Sequence, residues 1–72
     1  MENMIDKLAA MIADEMEGAA KYAQCAMKHK QERPKLAEMF HEMAAQEMEH
    51  MKKLHAAAEA ELKAMQEKYE EA

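Results

Sequence analysis

One cysteine, one glycine, one proline and no tryptophan occur among the 72 residues. The lone Cys25 permits no internal disulfide and no paired-cysteine metal or redox motif, and is best read as a small, half-buried side chain. Gly18 and Pro34 stand alone, so strands joined by tight turns would have almost no turn residues to use, which excludes a β fold. Valine is absent, Tyr22, Phe40 and Tyr69 are the only aromatics, and leucine and isoleucine together number six, so bulky core-filling side chains are scarce. No segment is apolar for long enough to span a bilayer, and no basic stretch followed by an apolar one opens the chain; a cytoplasmic protein is expected. The basic residues are scattered and the net charge is −5, which argues against nucleic acid or an anionic membrane as a partner.

What abounds is Ala, Met, Glu and Lys, the composition of helices. Between two long proline-free runs lies "KQERPKL", where Pro34 suits the first turn of a helix and disfavours helix at Arg33. The sequence predicts a single all-α domain over residues 1–72: a helix over about 3–30, a turn at about 31–33 and a second helix over about 34–70, folded antiparallel. At about 1.5 Å per residue the second helix is roughly 55 Å long and overhangs the first by two or three turns, around "ELKAMQEKYEEA", whose acidic end favours fraying. A lone core in so short a chain gives no more than roughly 3–5 kcal/mol, so a staple or a partner is expected. Two facing apolar arcs still leave apolar surface for a second hairpin to cover, which predicts a homodimer forming a four-helix bundle, open to further assembly.

On a helical wheel the first apolar arc collects Met4, Ile5, Leu8, Met11, Ile12, Met16, Ala19, Tyr22, Ala23 and Ala26, and Glu15 falls inside it, whereas Asp14 and Glu17 face the polar side. The second arc gathers Leu36, Met39, Phe40, Met43, Ala44, Met51, Leu54, Ala58, Leu62 and Met65, with Glu47 near its middle and His50 toward one edge. Glu38, Glu42 and Glu49 point away. Folding the hairpin about residue 32 brings position 15 level with position 49, so Glu15, Glu47 and His50 should stand within about one helical turn of one another. Two inward carboxylates at one level need a compensating charge. Arg33 is too far away at the turn, and a multivalent cation shared with a second copy is the simplest source; carboxylate oxygens with an imidazole nitrogen suit iron, manganese or zinc. A second Glu-x-x-His, at Glu38 and His41, acts as a control: Glu38 faces the polar side, and the opposing "AQCAMKHK" offers no carboxylate. His29, His41 and His55 are expected to be solvated, and the ten Met residues to be adaptable core filler rather than a copper site.

A two-fold axis through the cluster gathers Glu15, Glu47 and His50 twice over. This is the pattern described for ferritin-like carboxylate bundles, a Glu from each of two helices and Glu-x-x-His from each of the other two. With these residues the sequence resembles the ferritin-like superfamily, and within it the rubrerythrins, over roughly residues 8–56. "FHEMAAQEMEHMKKL" looks like the second helix of a rubrerythrin half-bundle, with Glu47 at the bridging glutamate and His50 at the histidine. "DEMEGAAKY" is similar to the first, in which a ligand Glu is followed seven residues later by a Tyr close to the metals, here Glu15 and Tyr22. Tyr22 fits a core aromatic equally well. Family members usually hold four helices in one chain; this chain supplies two, as encapsulated ferritins do when they build the site between subunits. The sequence carries neither the four-cysteine iron domain of rubrerythrins proper nor a targeting tail for an encapsulin shell.

The resemblance implies a di-metal protein with two iron ions per dimer, manganese or zinc being possible occupants, that oxidises Fe(II) with dioxygen or peroxide as a ferroxidase or a rubrerythrin-like peroxidase. Glu15 would be a terminal ligand, Glu47 a bridge, His50 a terminal nitrogen ligand and Tyr22 a hydrogen-bond or redox partner beside them. The alternative is a structural or adaptor hairpin in which metal serves only assembly or storage.

Overall fold

The computed structural model describes residues 3–71, so Met1, Glu2 and Ala72 of the predicted domain lie outside the described residues. Two helices make up the hairpin: α1, Met4–His29, and α2, Pro34–Glu71. Asn3 opens α1 from an extended backbone (φ −90°, ψ 174°), and its side-chain oxygen accepts the Asp6 backbone N–H at 2.8 Å, satisfying one of the donors that a helix start leaves free. At the other end Lys28 and His29 lie in the last turn, where positive charge complements the helix dipole. The Arg33 N–H donates to the His29 carbonyl at 2.8 Å, closing the turn, and the ring of Pro34 presets the first residue of α2.

The helices run antiparallel, Gly18 lying opposite Glu47 and Tyr22 opposite Phe40. Their contact is a single seam. Buried and half-buried positions on α1 step along it as Ile5, Leu8, Ile12, Glu15, Ala19, Tyr22, Ala26 and His29, and on α2 as Ala37, Phe40, Ala44, Glu47, Met51, Leu54 and Ala58. The steps alternate between three and four residues, the spacing that keeps one narrow stripe facing a partner helix. Leu8, Ala37 and Ala44 are the buried apolar residues, and small Ala37 and Ala44 let the backbones approach.

The molecule measures 61 × 20 × 10 Å. Its least dimension is about one helix diameter, so among the described residues nothing lies above or below the pair. The radius of gyration is 17.1 Å, against roughly 11 Å for a compact domain of this length. The wheel arcs were accordingly too broad for one hairpin: Met4, Met11 and Met16 are 50–57 % exposed, and Met39, Leu62 and Met65 are exposed as well. A one-helix neighbour covers a stripe, not an arc. Beyond Ala58 the overhang of α2 has no neighbour, and residues 59–70 are all exposed. Among the described residues no helix is long and apolar enough to cross a membrane.

Candidate metal centre

Glu15 occupies the seam position seven residues after Leu8, so the repeat that buries Leu8 also turns Glu15 inward. Glu47 holds the equivalent place on α2, three residues after Ala44, and His50 follows one turn later at the edge of the seam. Both carboxylates are half-buried, whereas the His50 side chain is 54 % exposed. Nδ1 of His50 lies 3.1 Å from Oε2 of Glu15, a hydrogen bond between the helices in which the ring N–H donates, and 3.7 Å from Oε1 of Glu47. One donor atom from each of the three side chains lies within 4.8 Å of the other two. Among the described residues no other three His, Cys, Asp or Glu side chains converge in this way.

The two acids perturb each other. Hydrogen bonding with the Glu15 carboxyl is the largest influence holding the Glu47 carboxyl above its ordinary value of 4.5; partial burial and repulsion from the Glu15 charge act in the same direction, and His50 opposes them. Crowded negative charge thus makes Glu47 hold its proton more tightly than a lone glutamate does. A cation would answer the same need, and the mixture of oxygen and nitrogen donors fits one of borderline softness.

Gly18, used above only to exclude a β fold, proves to be part of this arrangement. Its φ is not positive, so the backbone itself does not demand glycine. A Cβ built there would stand 2.7 Å from Oε2 of Glu47, inside the space that the carboxylate occupies. The sequence does hold a signal: a glycine inside a helix costs roughly 0.5–1 kcal/mol relative to alanine, and this one falls one turn after an inward-facing acid.

Tyr22 lies half-buried in the seam on the turn side of Glu15, its ring stacked on Phe40 at a centroid distance of 6.3 Å and an angle of 21°. His29, expected in solvent, is half-buried, with its ring centroid 6.4 Å from that of Phe40. His41 and Glu38 are exposed on an open groove near the turn, beside Ala26, Met27, Pro34 and Ala37, and among the described residues no third ligand joins them. His55 is exposed beside Glu59 at 3.5 Å. Of the acids that the wheel placed outward, Glu17 pairs with Lys21 at 3.2 Å and Glu49 with Lys52 at 3.1 Å, exposed contacts that add little stability.

Among protein families, the one described as Rubrerythrin matches residues 6–72. No curated protein and no solved structure matches the chain.

Proposed function

The chain belongs to the rubrerythrin family of the ferritin-like superfamily, and from that premise we propose that two copies pair into a four-helix bundle whose centre holds two metal ions, iron foremost, between Glu15, Glu47 and His50 of one copy and the same residues of the other. The observation that carries this reading is the convergence of two carboxylates and an imidazole nitrogen within 4.8 Å along a mostly apolar seam. Half of a ferritin-like ligand set is present in one hairpin, and a two-fold axis completes it.

Each side chain has a distinct task. Glu47 reaches across the seam from α2 toward Glu15 and Gly18, and as the family's bridging glutamate it would be the carboxylate shared by the two ions. Glu15 and His50 would be terminal ligands, and Nδ1 is the nitrogen of His50 turned toward the carboxylates. Metal would bind these residues through an ionised carboxylate and an unprotonated ring nitrogen, so protons compete with it for the same atoms. Tyr22, on the same seam, is the candidate hydrogen-bond or redox partner of the centre. When bound, the irons supply the electrons that reduce dioxygen or peroxide.

Anaerobic addition of Fe(II) to the purified protein should saturate at about two irons per two chains. Equal uptake by Glu47→Ala removes the assignment. The exposed methionines favour a second reading, a hairpin built for association in which metal serves only assembly or storage. Air oxidation separates the two: iron that binds but oxidises no faster than in buffer leaves the second reading standing.

A further inference from the structure

Gly18 sits inside a 26-residue helix with no positive φ, where alanine would favour the helix. Backbone conformation gives no reason for a glycine here. The three nearest atoms that a Cβ at this position would meet all belong to Glu47: Oε2 at 2.7 Å, Cδ at 3.5 Å and Cγ at 3.8 Å. Only the first is too close, and it is the tip of a flexible side chain. The stem of Glu47 and the backbones of both helices would tolerate the extra methyl group. A methyl at residue 18 would therefore act on the position of one carboxylate and leave the hairpin itself unstrained.

We propose that Gly18 is a positioning residue for the metal centre: its missing side chain forms the socket in which the Glu47 carboxylate lies against α1, one turn from Glu15 and within reach of Nδ1 of His50. The proposal deepens the di-metal reading and rests on it. A bridging carboxylate must be held to within about half an ångström to serve two ions. The glycine secures that placement at the expense of helix stability, a trade of the kind that functional sites make.

Gly18→Ala tests it, read by two independent measurements on the full chain. Thermal unfolding of the metal-free variant should occur at the same temperature as wild type or higher, because alanine strengthens the helix and Glu47 swings aside. Titration with Zn(II), a redox-silent probe, and with Fe(II) without oxygen should show affinity lowered about 10- to 100-fold, the range found when groups that orient ligands are lost. In a Glu47→Ala background the same change should have no further effect on affinity. A Gly18→Ala protein that binds metal as tightly as wild type overturns the proposal. So does one that loses its fold or its wild-type mass in solution together with its metal, since the glycine would then serve packing. Failure of the wild type to bind either metal sinks the di-metal reading itself, whereas tight binding by wild type and variant alike, with loss in Glu47→Ala, sinks only the role of Gly18.

Discussion

At the scale of single residues, Glu47 carries the tension of the molecule. Its folded-state carboxyl is held above 4.5, chiefly by hydrogen bonding with Glu15 and further by burial and charge repulsion. Between 4.5 and that raised value the folded chain binds more protons than the unfolded one, so stability falls as pH rises through this window. Metal-free Glu47→Gln should melt like wild type below the window, gain on it as pH climbs, and hold a constant lead once wild-type Glu47 is ionised. Thermal melts of both proteins from about pH 4 to pH 8 check this; a gap that does not change with pH would mean that Glu15 and burial do not burden the carboxyl. The meeting of Glu15, Glu47 and His50 was legible in the sequence because helical periodicity decides facing and the hairpin decides level. Gly18 was not, since its importance depends on the conformation in which Glu47 crosses the seam, which no one-dimensional spacing encodes. His29 escaped for a similar reason: its neighbour is Phe40, on the other helix.

At the scale of elements, each helix is secured by a few local devices. The Asn3 cap is the clearest, and Asn3→Ala should lower stability by about 1 kcal/mol, measurable as a reduced urea midpoint with unchanged denaturant slope. A loss much below that would mean that water replaces the cap without penalty. Because α1 supplies Glu15, fraying at its start would also loosen the cluster. The all-α hairpin could be read from the scarcity of turn residues and from Pro34, whose ring fits the first turn of α2. That apolar surface would stay open was legible too, but not which side chains would carry it. A wheel sorts apolar from polar side chains, but the width that is covered depends on how many neighbours surround the helix, and here there is one.

At the scale of the whole molecule, a body 10 Å thick has no interior in the usual sense, and among the described residues no side chain is fully buried. The methionines left open on both helices are the surface that the proposed pairing would cover. If folding and pairing are one process, dilution must unfold the chain, so the melting temperature of metal-free protein should rise with concentration. Melts at two concentrations tenfold apart check it, and coincident curves would show that the single hairpin stands by itself. The contact between Glu15 and His50 has one more consequence, because these residues are 35 positions apart in the chain. Any ion gripping both closes that stretch into a ring, and by the chain-entropy account a cross-link of this span is worth about 3–4 kcal/mol. If metal binds as proposed, a sequence with one thiol would possess a reversible substitute for a disulfide bridge, tied when metal is plentiful and undone by a chelator.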